Sequence, residues 1–168
     1  MFALHSKPGA SSVVFLDVDG HVISGTAWNG GGSDPLYARP FDSDGDESGF
    51  SAGELDAIAE MWHRIAEDFA AFDVDVTTEE PAAFGPRTVH LLVTPNTDLN
   101  GVPMPASGAG GVAYVNVFGG SSLGYYSPAF VYSNNLSNFA PFIAEAGSHE
   151  VGHNLGLSHD GTSSSGYF

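Results

Sequence analysis

Apolar residues recur along one part of this chain at the spacing of a helix. Ser51 and Glu54 form the Ser-x-x-Glu pair of a helix start, and apolar side chains then follow every three or four residues. This pattern predicts an amphipathic helix over residues 52–71. Its apolar stripe consists of Leu55, Ile58, Ala59, Trp62, Ile65, Ala66 and Phe69.

Shorter apolar runs, bounded by Gly, Pro, Ser and Asp, predict strands. Five such runs occupy residues 12–18, 74–77, 88–94, 112–117 and 129–133. Residues 25–46 are rich in Gly, Ser, Asp and Pro, which predicts a long loop. A second helix is predicted over residues 139–155, because Pro141 is tolerated in a first helical turn.

The order of these elements is strand, helix, four strands, helix, which predicts an α/β layered domain. We expect a twisted, mostly parallel five-stranded sheet, with the first helix as a right-handed crossover between strands. The length of 168 residues suits a single domain.

Charge and composition narrow the classes of partner. The chain carries 20 acidic and four basic residues, for a net charge of −16, and it has no cysteine. Such a surface repels nucleic acid and anionic membranes and favours bound cations. The lack of cysteine excludes disulfides and thiol catalysis. No stretch of the sequence is long and apolar enough to span a membrane.

The run H-E-V-G-H-N-L-G-L-S-H contains a metal-binding pattern. His149 and His153 lie one helical turn apart, so both imidazoles leave the same face. Glu150 is placed to act as general base on a water activated by the metal. Gly156 permits a positive φ and a sharp turn, after which His159 returns as a third ligand. Three imidazoles with one open position describe a catalytic Zn²⁺ site.

This run resembles the signature of the metzincin zinc metallopeptidases, and Asp160 behind it is similar to the adamalysin or reprolysin-like branch. The resemblance implies a secreted, zinc-dependent endopeptidase with a protein or peptide substrate, and we expect a monomer. It also implies a metzincin-like amino-terminal subdomain whose fourth strand is an antiparallel edge. The matching segment is residues 111–117, whose exposed edge is suited to pairing with an extended peptide.

The resemblance also implies a Met-containing turn after the third histidine. Only residues 161–168 follow the motif, and Met1, Met61 and Met104 all precede it. We therefore expect residues 1–168 to be one catalytic domain whose lower subdomain is truncated. The alternative is an inactive zinc-binding or adhesion module derived from a metallopeptidase, although such a module would not need Glu150.

Weaker patterns leave two interpretations open. Asp42, Asp44 and Asp46 lie in an acidic run, which is typical of a solvated loop or of a Ca²⁺ site, although the spacing fails the EF-hand register. Asp17 and Asp19, like Asp73 and Asp75, are paired carboxylates that either share a cation or mark a solvated strand end.

The histidines outside the motif are isolated in sequence, which favours surface or hydrogen-bonded roles over metal ligation. They are His5, His21, His63 and His90.

Overall fold

A computed structural model describes residues 3–32 and 34–159 of the chain. These residues form seven strands and two α-helices, together with three short 3-10 turns. The strands are β1 (Ser12–Asp17), β2 (His21–Ile23), β3 (Leu36–Ala38), β4 (Val74–Thr77), β5 (Thr88–Thr94), β6 (Gly111–Val112) and β7 (Ala129–Tyr132). The helices are α1 (Ala52–Asp68) and α2 (Ala140–Asn154).

Five strands form the main sheet in the order β4-β1-β5-β7-β6. β1 pairs in parallel with β4 and β5, and β5 pairs in parallel with β7. β6 lies at the edge and runs antiparallel to β7. The predicted fold class is confirmed: a mostly parallel five-stranded sheet with one antiparallel edge strand and two helices.

α1 begins at the predicted capping box. The Ser51 hydroxyl accepts a hydrogen bond from the backbone N–H of Glu54, and the Glu54 carboxylate accepts one from the backbone N–H of Ser51. The helix ends at Asp68, three residues before the predicted end, because the chain turns at Phe69 and enters β4 at Val74. Phe69 therefore packs in the core from a turn rather than from the helix.

Side chains alternate between the two faces of the sheet, and each face has its own core. Val89, Leu91 and Val93 of β5 pack on one face with Ile58, Met61 and Ile65 of α1 and with Ile143 and Val151 of α2. Leu92 of β5 lies on the other face, which the antiparallel β2–β3 hairpin covers. The helices and the hairpin therefore form separate layers on either side of the sheet.

Two predictions for irregular and extended segments were wrong. The predicted loop of residues 25–46 contains β3 and a 3-10 turn, and β3 pairs with β2, which no pattern indicated. Of the predicted strand of residues 112–117, only Val112 lies in the sheet, where it forms β6 together with Gly111. The residues after it turn away and donate hydrogen bonds to the end of α2 instead. Within the described part of the chain, no helix has the length and apolar character needed to cross a membrane.

Candidate metal centre

The end of α2 brings the third histidine back towards the first two. Gly156 has φ +100°, and its N–H donates to the carbonyl of His153 over 2.9 Å. The next N–H, of Leu157, donates to the carbonyl of Gly152 over 2.9 Å. This pair of bonds is the Schellman arrangement, which ends a helix and reverses the chain. His159 is thereby placed beside α2, two residues beyond Leu157.

The three imidazoles of the motif converge on one point. The Nε2 atom of His159 lies 2.9 Å from Nε2 of His149 and 3.1 Å from Nε2 of His153. Tetrahedral zinc with Zn–N bonds of about 2.0–2.1 Å separates its nitrogen ligands by about 3.3 Å. The spacing of the three nitrogens therefore fits one shared ion.

Protonation and orientation of the histidines also suit a metal. Burial, and then the charges of His153 and His159, lower the pKa of His149 below its ordinary value. A lowered pKa favours the neutral imidazole, which is the form that binds metal. The Nδ1 atom of His153 lies 2.7 Å from the carbonyl oxygen of Leu157. With Nδ1 donating to that carbonyl, the lone pair of Nε2 is directed into the site.

Glu150 is buried beside the histidines, with 6% of its surface exposed. Its Oε2 atom has no hydrogen-bond partner among the described residues. Burial raises the pKa of Glu150 to about 7, and the charge of His153 partly opposes this. A Cβ atom on Gly111 would lie 2.8 Å from both Cγ and Oε1 of Glu150, so a glycine in β6 makes room for this carboxylate.

Two cavities meet at the histidines and share Gly111, His149, Glu150 and His159 as lining residues. The cavity on one side has a volume of about 440 Å³, with Leu136 and Phe142 in its wall. The cavity on the other side has a volume of about 330 Å³, with Ala113 and Val115 in its wall. The candidate metal centre therefore lies in the middle of a continuous cleft.

The wall formed by the segment after β6 is bonded directly to α2. The N–H of Asn116 donates to the carbonyl of His153 over 2.9 Å. The N–H groups of Val117 and Phe118 both donate to the carbonyl of Asn154 over 3.0 Å. The side chain of Asn154 donates in return to the carbonyl of Tyr114 over 2.9 Å. These bonds satisfy the last carbonyls of the helix and explain why the predicted strand ends early.

Comparison with known families agrees with this geometry. The sequence model of one protein family, described as "Metallo-peptidase family M12B Reprolysin-like", matches residues 66–160, which is more than half of the chain. The chain belongs to this family. The matched segment extends from the last turn of α1 through the whole histidine motif. No curated protein and no solved structure matches the chain.

Membership of the reprolysin-like family supports a zinc-dependent metallopeptidase acting on protein or peptide substrates, in agreement with the predicted family. Of the residues that carry the resemblance to this family, only Asp160 lies outside the described residues 3–32 and 34–159. The histidines at the centre of the resemblance are all described, and they form a group that could hold a metal ion.

The acidic loop forms a different grouping from the predicted one. Asp42 accepts hydrogen bonds from the N–H groups of Asp44 and Gly45, and Asp44 accepts one from Asp46. Asp46 in turn accepts bonds from the backbone and hydroxyl of Ser48. The carboxylates that approach one another are those of Asp42, Asp44 and Glu54, without Asp46. A Ca²⁺ site in this loop therefore stays a prediction, and local turn-forming bonds account for its aspartates.

Histidines that are isolated in sequence acquire partners in the fold. The ring of His5 lies between Asp75 at 2.7 Å and Glu79 at 2.9 Å. His90 is buried against Asp17, with His21 beside it. Sequence spacing gave no signal for these pairs, because the partners of each histidine lie on a different strand or connecting segment.

Proposed function

We propose that the chain is a zinc-dependent endopeptidase in which His149, His153 and His159 hold the metal and Glu150 is the general base. The observation that carries this proposal is the convergence of three Nε2 atoms, 2.9 and 3.1 Å apart, beside a buried carboxylate. Membership of the M12B family supports the same reaction class.

The metal and the protein have separate tasks in the proposed reaction. Bound Zn²⁺ supplies Lewis acidity, which polarises a carbonyl and lowers the pKa of water. Glu150 accepts the proton of the attacking water and delivers it to the leaving amine nitrogen. Its unpaired Oε2 atom is available for this proton, since no described residue occupies it. The chain needs no nucleophilic side chain, in keeping with its lack of cysteine.

The cleft supports an extended peptide as the substrate. β6 lies at the sheet edge and contributes Gly111 to both cavities that meet at the histidines. A peptide that pairs with this edge strand would place successive side chains on alternate sides of its backbone. The larger cavity, with Leu136 and Phe142 in its wall, would accept an apolar side chain.

A variant that keeps the shape of Glu150 but removes its basicity tests the proposal. Glu150→Gln should retain zinc and lower kcat by roughly 10²-fold or more, because only the proton acceptor is lost. His153→Ala should instead lose the zinc ion that the motif holds. His63→Gln, on the exposed face of α1, is the matched control and should keep both metal and rate.

The measurements are zinc content by elemental analysis and hydrolysis of a broad library of quenched peptides. If Glu150→Gln hydrolyses peptides at the rate of the unsubstituted chain, another group is the base. A zinc-loaded, folded chain that cleaves no member of the library would support the inactive zinc-binding or adhesion module instead.

A further inference from the structure

A second group of metal-ligating side chains lies away from the M12B motif. Asp17 is the last residue of β1, His21 is the first residue of β2, and His90 lies within β5. The Oδ2 atom of Asp17 is 2.7 Å from Nε2 of His90 and 3.4 Å from Nδ1 of His21. The centroids of the two imidazole rings are 4.6 Å apart. One carboxylate oxygen and two ring nitrogens are therefore directed at a common point.

The carboxylate at the centre of this group is buried with an incomplete set of partners. Asp17 is 2% exposed and His90 is 4% exposed. The Oδ1 atom of Asp17 is buried and accepts no hydrogen bond from a permanent donor within residues 3–32 and 34–159, although the carboxyl of Asp19 lies within hydrogen-bonding reach of Asp17. A buried carboxylate oxygen without a partner costs free energy, so native proteins rarely leave one unless a water, a ligand or an ion completes it.

The surroundings of Asp17 add negative potential. The carboxyl of Asp19 interacts with that of Asp17, and the charge of Glu80 reaches both Asp19 and His21. A cation placed among these groups would relieve the repulsion between the carboxylates.

The group also borders a space that could hold further ligands. His21 and His90 line a cavity of about 150 Å³, with Ser24, Thr26 and Ser127 among its other lining residues. A bound ion with three protein ligands needs room for at least one water, and this cavity exceeds the volume of a water molecule several times over.

We propose that Asp17, His21 and His90 bind a second divalent transition-metal ion. Two imidazole nitrogens with one carboxylate favour Zn²⁺ and its transition-metal neighbours over Ca²⁺ and Mg²⁺, which prefer all-oxygen ligands. Ligand atoms around such an ion lie about 3.3 Å apart, and the measured 2.7 and 3.4 Å bracket this spacing. Its three ligands would join β1, β2 and β5, and so fix the β2–β3 hairpin to the sheet.

This second site shares no residue with the histidines of α2. His90 lies on the same strand face as Leu92, which packs under the β2–β3 hairpin, whereas α2 packs on the opposite face. The two sites can therefore be tested separately, and the second does not depend on peptidase activity.

The first experiment removes the motif site and counts the zinc that remains. The background variant is His149→Ala with His153→Ala, dialysed against micromolar Zn²⁺ in excess Ca²⁺ and Mg²⁺. We expect about one zinc ion per folded chain in this background. Adding His21→Gln and His90→Gln should lower zinc content at least tenfold, whereas adding His63→Gln should leave it unchanged. Circular dichroism establishes that each variant is folded.

Two outcomes of that experiment would overturn the proposal. One is a folded background variant that binds no zinc, and the other is zinc content that survives the His21→Gln and His90→Gln substitutions. Both are independent of whether the unsubstituted chain hydrolyses peptides.

A second experiment uses the unsubstituted chain and does not depend on any variant folding. Crystals grown with Zn²⁺ should show an anomalous peak at the zinc absorption edge between Asp17, His21 and His90. This peak should be additional to any peak at the motif. Data from zinc-loaded crystals without a peak between these side chains would show that they form only a hydrogen-bonded cluster.

Discussion

At the scale of single residues, Gly111 couples the edge strand to the proposed base. Gly111→Ala places a Cβ atom 2.8 Å from Cγ and Oε1 of Glu150 and 2.7 Å from the carbonyl oxygen of Phe130. Because these distances are below any normal contact, Glu150 must move, and we expect peptidase kcat to fall about tenfold or more with zinc content unchanged.

Gly110→Ala is the matched control for this prediction. Its Cβ atom would meet only the end of the Leu136 side chain, at 3.2 Å, and that side chain can yield. Steady-state kinetics gives kcat for both variants, and elemental analysis gives their zinc content. Equal kcat values for Gly111→Ala and the unsubstituted chain would show that Glu150 tolerates displacement or is not the base.

A second prediction at this scale concerns the pH dependence of stability at His5. Hydrogen bonds to Asp75, and then to Glu79, raise the pKa of His5 above its ordinary value of 6.5. The protonated ring therefore stabilises the folded state. This contribution is complete below the unfolded pKa and is lost as pH rises through the raised folded pKa.

The stability difference between the unsubstituted chain and His5→Gln should accordingly be larger at about pH 6 than at about pH 9. Urea unfolding at the two pH values measures it, with His63→Gln as a control for an exposed histidine. A difference that stays constant, or grows with pH, would contradict the assigned direction of the pKa shift.

At the scale of elements, Gly147 allows α2 to approach both α1 and the sheet closely. A Cβ atom at this position would lie 3.1 Å from Cδ2 of Leu91 and 3.2 Å from Cδ1 of Ile65. Gly147→Ile should overpack this contact and lower the free energy of unfolding by about 1–3 kcal/mol.

Gly53→Ala provides the comparison on the other helix. Nothing lies within 4 Å of a Cβ atom at Gly53, so this variant should be neutral or more stable by up to about 1 kcal/mol. Denaturant unfolding of both variants measures their free energies of unfolding. No loss of stability in Gly147→Ile would show that α2 shifts to accommodate the larger side chain.

Local patterns were sufficient to predict both helices and four of the five strands of the main sheet, all except β6. β4 and β5 have the predicted bounds, and α2 differs from its prediction by one residue at each end. The strands of the hairpin have three residues each, too few to show a period, and the middle residue of each is exposed to solvent. β6 was predicted to be longer because its later residues are apolar. Hydrogen bonds to the end of α2 determine their path, and no local pattern reports such bonds.

The difference between local and long-range contacts also explains which sites could be predicted from the sequence. The motif histidines are encoded by one helix and its terminal turn, so spacing alone places them together. Asp17 and His90 are separated by 73 residues, and they meet only because β1 and β5 pair in parallel with Phe15 opposite His90. Glu54 joins Asp42 and Asp44 for a similar reason, since it lies at the start of α1 and not in the acidic run.

At the scale of the whole molecule, the net charge of −16 opposes the compact state. Monovalent salt screens repulsion between surface charges over distances beyond about 8 Å at 0.15 M ionic strength. Raising KCl from low to moderate concentration should therefore raise Tm at neutral pH, even with a chelator present. Differential scanning calorimetry across a KCl series measures this, and a Tm that falls with KCl would show that attractive ion pairs dominate instead.

The bonds between the segment after β6 and the end of α2 limit how the cleft can change width. The backbone N–H groups of Asn116, Val117 and Phe118 are hydrogen-bonded to the end of α2, the helix that carries His149 and His153. This wall of the cleft and the histidines therefore move together. On the opposite side of the cleft, the half-exposed Phe142 belongs to the first turn of α2, and Leu136 lies in the 3-10 turn that precedes this helix. Adjustment to the size of a substrate side chain is thus left to rotation of the Leu136 and Phe142 side chains, while the distance between the edge strand and the histidines stays constant.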